Sequence, residues 1–371
     1  MALDTFEIGA FVECALFSSG VTRTNIAGVE LILNFDNGAI VGLTESGASI
    51  VDRLAKCEIS LDQARSEEPI LLTHLEEAGF FDKNDAGIPP LSVYYHVTQR
   101  CNLECVGCYS LDGYRNSVAD VSYDTICDGL SKLKNLPVES LTFSGGEPFL
   151  RRDIVEILRY AKAQCGFRAV RVITNGLVLN EEIIGRVAPY IDEIAVSFDG
   201  FSETAHSWIR GKQSYAKLSS VVQIIKRAGI RPHVISTIHS RNIEDIDACR
   251  RFADSLGVPY HFSLFSCGAS QPGADELVFS DSSLVDLCSK ILSIKDEEGR
   301  SSFDLVSTIR AKRMCGCGRT NLSVGYDGQI YPCHMLHDEK YAKGNLYVDF
   351  DKEADLHSAI YDSGPCGKSV D

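Results

Sequence analysis

The sequence predicts an α/β protein, in which a parallel sheet with outer helices follows a small α+β module and precedes a cysteine-rich tail. Three observations predict it. Short apolar runs alternate with helical patterns six times between residues 89 and 310, as βα units do. Residues 1–88 instead place their strand-like runs first and their helical patterns afterwards. Residues 311–371 carry four cysteines around a turn signal and little else that is periodic.

Composition sets the bounds. With 371 residues and 44% hydrophobic content, the chain can build two or three cored domains. A net charge of −15 argues against nucleic acid or an anionic membrane as partner. No apolar run approaches transmembrane length, and Met1-Ala-Leu-Asp-Thr-Phe-Glu lacks the basic start of a signal peptide. The chain holds fourteen cysteines, too large a frame for a secreted disulfide scaffold. Cys14, Cys57, Cys127, Cys165, Cys249 and Cys288 fall in apolar or helical patterns and read as buried thiols, whereas Cys267 follows a strand and stays open. A reducing cytoplasm is the expected compartment.

In the first segment, strand-like runs cover Phe11–Phe17 and Glu30–Leu43, the second broken at Asp36-Asn37-Gly38. A helix opens at the capping residue Thr44 and another pattern runs over Glu68–Phe81. The order is that of a winged-helix-like module. Met1–Ile88 holds five Lys/Arg against fifteen Asp/Glu, the wrong sign for tracking phosphates. Ala86-Gly-Ile-Pro-Pro90 makes a hinge. From there strands are predicted at 91–98, 140–144, 169–174, 193–198, 232–238 and 260–265. Helices are predicted at 123–134, 153–165, 181–187, 215–228, 243–256 and 282–294.

The chemistry concentrates at strand ends. After the first strand comes Cys101-Asn-Leu-Glu-Cys105-Val-Gly-Cys108-Tyr109, a C-x3-C-x2-C run. A loop can fold three thiolates toward one iron–sulfur cube and leave one iron open. The alternative is structural zinc, but that needs four ligands, and no fourth Cys or His lies between Gln99 and Arg115. After the second strand, Ser144-Gly-Gly-Glu-Pro148 offers closely approachable backbone N–H groups and a carboxylate. Thr174-Asn-Gly176 follows the third strand and Ser197-Phe-Asp-Gly200 the fourth, each also readable as a turn. His206-Ser-Trp-Ile-Arg-Gly211 comes next.

These runs resemble the radical S-adenosylmethionine (SAM) superfamily. The resemblance implies a partial (β/α)6 barrel over residues 89–310 and a [4Fe–4S] cluster on Cys101, Cys105 and Cys108. The open iron would hold the methionyl group of SAM, and an electron from flavodoxin or ferredoxin would release a 5′-deoxyadenosyl radical. It implies that Gly145, Gly146 and Glu147 hold the methionyl amino group, that Asn175 lines the cofactor, and that Ser197 meets the ribose. Asp199 would either join Ser197 or shape the turn. Arg210 would pair with the methionyl carboxylate or form a surface salt bridge. One departure is Gly107, where the family commonly has an aromatic residue or His.

Leu31–Gly47 and Leu75–Phe81 resemble the leader-peptide recognition element of peptide-modification pathways, similar to the small peptide chaperone of pyrroloquinoline quinone biosynthesis. That implies a precursor peptide bound by strand addition; a purely structural cap is the alternative. Cys317 and Gly328-x4-Cys333, around a hairpin at Asp327-Gly328, resemble the opening of a SPASM domain. A full SPASM domain continues with further cysteine pairs, so residues 311–371 resemble either a truncated SPASM or twitch region or a fragment of the full domain, whose missing half would then own Cys366. Cys315, Cys317, Cys333 and Cys366 would then carry an auxiliary [4Fe–4S] cluster, with zinc as the alternative. His334 stands where sulfatase-maturing relatives have a catalytic aspartate. Together these resemblances imply a radical SAM peptide maturase that crosslinks a ribosomally made precursor. The alternatives are a twitch-type dehydrogenase of a small molecule and a sulfatase-maturase-like protein modifier.

Overall fold

The computed structural model describes residues 17, 21–26, 29–34, 39–56, 58–81, 91–110, 114–200, 202–211, 215–265, 274–293, 317–318, 320–350, 355–356 and 359–360. They belong to two compact units, one drawn from residues 1–88 and 292–316, the other from 89–291 and 317–371. Among the described residues, no helix is long and apolar enough to cross a membrane.

The first unit holds an antiparallel sheet of β1 (Val21–Ile26), β2 (Val29–Asn34) and β3 (Ala39–Leu43), with β2 in the middle. Helices α1 (Glu45–Ala55), α2 (Leu61–Glu67) and α3 (Pro69–Glu77) follow. Thr44 caps α1 as its sequence suggests, its hydroxyl accepting the Gly47 N–H at 3.1 Å. Ile32, Val51, Leu54, Leu72, Leu75 and Phe80 fill the core. The helix expected over 68–81 stops at Glu77, because Gly79 turns left-handed at φ 70°. Neither β1 nor α2 was expected. Val-Thr-Arg-Thr-Asn-Ile has no apolar run, while the Ser60–Gln63 capping box was a legible signal for α2. The strand expected at Phe11–Phe17 lies outside the described residues except Phe17, which bridges Phe81 and stacks on its ring at 5.0 Å. The turn at Asp36-Asn37-Gly38 and the hinge at 86–90 also lie outside them.

The second unit begins with β4 (Leu91–His96), α4 (Tyr123–Leu133), β5 (Val138–Ser144), α5 (Ile154–Arg159), β6 (Ala169–Thr174) and α6 (Glu181–Val187). It continues with β7 (Glu193–Ser197), α7 (Glu203–Arg210), α8 (Tyr215–Arg227), β8 (Arg231–Ile238), α9 (Ile246–Leu256), β9 (Tyr260–Leu264) and α10 (Asp281–Ser293). Strands β4 to β9 are parallel and lie side by side in chain order. One face of each strand packs into the helix layer: Val93 and Tyr95, Leu141 and Phe143, Val170 and Val172, Ile194 and Val196. They meet Ile126, Leu130, Ile157, Ile184, Val222 and Ile225 from the helices. Two departures appear. The helix expected over 153–165 becomes a π turn at Tyr160–Gln164, and α7 was not foreseen as a helix.

The last two strands, β10 (Asn321–Val324) and β11 (Ile330–Tyr331), form the expected hairpin, with Gly328 at φ 88° in its turn. They do not stand apart. β10 pairs parallel with β4, setting Ser323 beside Tyr94, so the sheet has eight strands in the order β11-β10-β4-β5-β6-β7-β8-β9.

Arg151, 3% exposed, ties strand ends to helices. Its guanidinium donates to Val97 O at 2.9 Å, to Val121 O at 2.7 Å, and to both oxygens of Asp153. It thereby fixes the chain leaving β4 against the start of α4. Arg151→Ala is expected to destabilise the fold by about 3 kcal/mol, the scale of a buried charge partner removed. Arg151→Lys should not restore it, since an ammonium cannot span three acceptor groups in a plane; chemical denaturation of all three proteins measures both.

Candidate active site

The cysteine loop leaves β4 with its backbone pinned. Thr98 donates its hydroxyl to Asp120 at 2.5 Å and accepts the Arg100 N–H at 2.9 Å. Asn116 brackets Cys101, its side chain accepting the Cys101 N–H at 2.9 Å and donating to the Cys101 carbonyl at 3.1 Å. It adopts a left-handed φ of 60°, which Asn tolerates better than most residues. Farther on, Val106 N–H donates to Ile209 O at 3.0 Å and Cys108 N–H to Cys105 O at 3.2 Å, closing the turn at Gly107.

Each of the three sulfurs has its own donor. The Asn175 amide lies 4.0 Å from Cys101 Sγ, Arg210 Nη1 lies 3.6 Å from Cys105 Sγ, and Arg115 Nη2 lies 3.6 Å from Cys108 Sγ. Burial pushes the Cys101 and Cys105 thiols up, while Arg115 and Arg210 pull the other way. Donors aimed at sulfur are what a thiolate ligand needs. Among the described residues, no three of His, Cys, Asp and Glu converge on one metal ion. Three thiols on one loop, each with an N–H donor nearby, are the ligands a cube with one open iron needs. The donor set therefore fits a cluster with three thiolate ligands.

The next loop is clamped to this one backbone against backbone. Gly146 N–H donates to Thr98 O at 2.7 Å and Glu147 N–H to Arg100 O at 2.8 Å. A Cβ on Gly145 would lie 2.5 Å from Thr98 O, and one on Gly146 2.2 Å from Arg100 O, so only glycine fits at both. The expectation that these N–H groups face a ligand is corrected for Gly146 and Glu147, whose N–H groups are taken up by the cysteine loop. Glu147 is fully buried. One oxygen accepts the Phe149 N–H and the Thr174 hydroxyl, the other the Asn175 N–H at 2.8 Å. Burial pushes its carboxyl up to about 7, against the pull of those donors. Glu147 thus joins the loops after β5 and β6, and so orients Asn175.

Arg210 is not at the surface. It pairs with Asp199 at 2.5 Å, in a bridge whose carboxylate side chain is 1% exposed. Asp199 also accepts the Thr237 N–H at 2.8 Å, and its own N–H donates to His206 Nδ1 at 3.2 Å. Burial lowers His206 to about 4, so its ring is neutral. For Arg210, burial opposes the charge, and Asp199, Cys105 and Cys108 together outweigh it. The surface-bridge alternative is thereby corrected, and Asp199 does more than shape a turn. Ser197, the last residue of β7, pairs in register with Ile235 of β8.

The hairpin contributes a third group. Cys317 and Cys333 come together, and the Cys317 thiol holds the Cys333 sulfur well below the ordinary thiol range. His334 stacks on Tyr94 at 4.2 Å and meets Tyr109 edge-on at 5.4 Å. The ring after Cys108 therefore touches the ring after Cys333. His337 stacks on Tyr331 and hydrogen-bonds Ser323 at 2.8 Å, next to buried His96. Cys315 and Cys366 lie outside the described residues, as do Cys14, Cys57, Cys267 and the Cys288 side chain. Cys127 and Cys249 are buried free thiols, as expected, but Cys165 is only half-buried. Sequence reasoning missed Arg115 and Asn116, which end the loop as ordinary polar residues and show their role only through geometry.

Residues 95–253 match the Radical SAM superfamily. The mycofactocin maturase MftC of Mycobacterium ulcerans (strain Agy99) is 27% identical over 297 residues, 75% of this chain and 79% of that one. Among solved structures, anSMEcpe with bound AdoMet aligns at a TM-score of 0.59 and 18% identity, over 73% of this chain and 83% of that one. Streptococcus suis SuiB bound to precursor peptide SuiA aligns at 0.57 and 15%, over 94% and 88%. The parallel sheet is thus of the radical SAM type, a family that implies a [4Fe–4S] cluster and SAM. Residues 95–253 therefore carry a radical SAM superfamily domain, and the protein is an enzyme.

Proposed function

We propose that this enzyme is a peptide maturase that joins side chains of a ribosomally made precursor. The observation that carries the reading is the trio of sulfurs, each met by its own N–H donor, at the carboxyl ends of parallel strands. Cys101, Cys105 and Cys108 would hold the cluster. With SAM bound, that group supplies one-electron cleavage of the sulfonium and hydrogen abstraction from substrate. Around it, Gly145 and Gly146 keep the backbone close, Glu147 orients Asn175, and Ser197 would meet the ribose. Arg210 would offer its remaining donors to the methionyl carboxylate while Asp199 fixes its position.

A peptide substrate is supported by the MftC relative and by the SuiB fold, whose partner is a precursor peptide. Residues 1–88 are the leader-recognition domain in this reading, 89–310 the barrel, and 311–371 a SPASM-like or twitch-like auxiliary-cluster region. Edge strand β3 carries Ile40, 43% exposed, as an apolar contact for an added strand. Cys317 and Cys333, with Cys315 and Cys366, would hold an auxiliary cluster. His334, against Tyr109, would take a proton from the substrate as its new bond closes.

After anaerobic reconstitution with iron and sulfide, replacing Cys101, Cys105 or Cys108 by Ala should cut dithionite-driven SAM cleavage by more than about a hundredfold, beyond what loss of an outer partner causes. Full activity in any of the three would overturn the reading. Wild-type protein should carry about eight irons per chain, falling to about four in Cys317→Ser or Cys333→Ser, as one of two cubes is lost; four irons in the wild type would remove the auxiliary cluster. Ile40→Asp should weaken precursor binding about tenfold, the scale of a central interface residue. SAM cleavage without peptide should stay unchanged in that variant, and calorimetric titration with the precursor checks the affinity. Conversion of a small molecule with no peptide required would favour a dehydrogenase instead.

A further inference from the structure

The cysteine loop sits on a small apolar core of its own, separate from the core between sheet and helices. Leu103, Cys105, Ile209, Phe265, Ala274 and Leu277 form it, and Cys101, Val106 and Cys108 pack against it. Four of these six residues come from far along the chain, and two of them, Phe265 and Leu277, reach the loop's turn. Phe265 follows β9 directly, its N–H donating to Ile238 O at 2.7 Å, and Leu277 closes the short helical turn Ala274–Leu277. Both press on one point of the loop, Gly107.

Gly107 adopts φ 70°, and a Cβ there would lie 2.4 Å from Phe265 Cε2 and 2.9 Å from Leu277 Cδ1. Real Cβ contacts are not that short, so two separate demands meet at one residue. The backbone needs a left-handed conformation, and the space above it is already filled. The first demand alone would admit Asn as well as Gly. The second admits glycine only while the ring stays in place.

We infer that Phe265 is a positioning residue for the cysteine loop. Its ring occupies the volume a side chain at 107 would fill, and so holds the turn that Cys108 N–H closes onto Cys105 O. It also keeps water from Cys105, which is 8% exposed. Solvent access to a cluster site sets both its retention and its potential. The inference rests on the proposed cluster for what the loop holds; the packing stands without it.

The test is a double-mutant cycle in the full-length protein, with Phe265→Ala, Gly107→Asn and the two combined. Phe265→Leu serves as the conservative control. Three quantities are read: iron retained against a chelator after anaerobic reconstitution, the potential of the low-potential signal, and the thermal midpoint. Phe265→Ala should lose iron about tenfold faster, as loss of an outer-shell partner does, and its potential should move positive as water enters. Phe265→Leu should stay near wild type. Gly107→Asn should be at least as damaging as Phe265→Ala, because the ring blocks it. The combined variant should be no worse than Phe265→Ala, since the space has been cleared. If the two losses multiply instead, or if Phe265→Ala keeps its iron, the inference is overturned. If the wild type takes up no iron, the cluster assignment fails. The thermal midpoints then still decide whether the two residues compete for one space.

Discussion

The site is built on a backbone-to-backbone contact between two loops, one of which carries glycines at the point where they meet. Gly145 and Gly146 bring the backbone after β5 onto the backbone at Thr98 and Arg100, and two N–H groups close the contact. Buried backbone donors must find acceptors, and here each loop supplies what the other lacks. The geometry leaves no slack, because a methyl group at either glycine would overlap a carbonyl oxygen. A cysteine loop held in this way starts from a fixed point, and Asn116 fixes it again at Cys101.

Charge is arranged on the same plan. Thiolates, a carboxylate and a guanidinium are each unfavourable to bury alone, and Cys105, Arg210 and Asp199 are buried as a set. Arg210 stands between the Asp199 carboxylate and the Cys105 sulfur, so both sides of the crevice hold its guanidinium. The loop after β7 supplies Asp199, and the end of α7 supplies Arg210. Pairing them couples a strand end to the cysteine loop through charge, as Val106 and Ile209 couple the same helix to it through the backbone. Between the loops after β5 and β6, Glu147 has a similar role, with a single buried carboxyl and three donors.

Much of this was legible in the sequence. Val93 and Tyr95, Leu141 and Phe143, Val170 and Val172, and Ile194 and Val196 alternate within short apolar runs bounded by turn signals, and the motifs follow the strands after which they were expected. What escaped depends on contacts between distant segments. Nothing in Asn321–Val324 says that it will pair with β4, since four residues carry a strand signal but no partner. Arg115 and Asn116 look like loop residues because they are loop residues; only the fold turns them toward sulfur and backbone. Gly107 shows the limit from the other side. Read alone, it is a departure from the family's pattern, and its reason lies in Phe265, more than a hundred residues away.

The pairing of β10 with β4 has a consequence beyond topology. Parallel register sets Ser323 beside Tyr94 and, through the antiparallel partner, beside Tyr331. From Tyr331 the chain needs only a few residues to bring Cys333 and His334 over the end of β4, where Tyr94 receives the imidazole ring. Tyr109 reaches the same imidazole from the cysteine loop. A one-residue slip of β10 would turn Ser323 to the helix side and carry the hairpin's cysteine and histidine away from both tyrosines. The buried side chains of Leu322 and Val324, which belong to the helix-side core, make that slip unfavourable. The position of the hairpin's sulfur and imidazole relative to the first cysteine loop is therefore set by hydrophobic burial on the opposite face of the sheet.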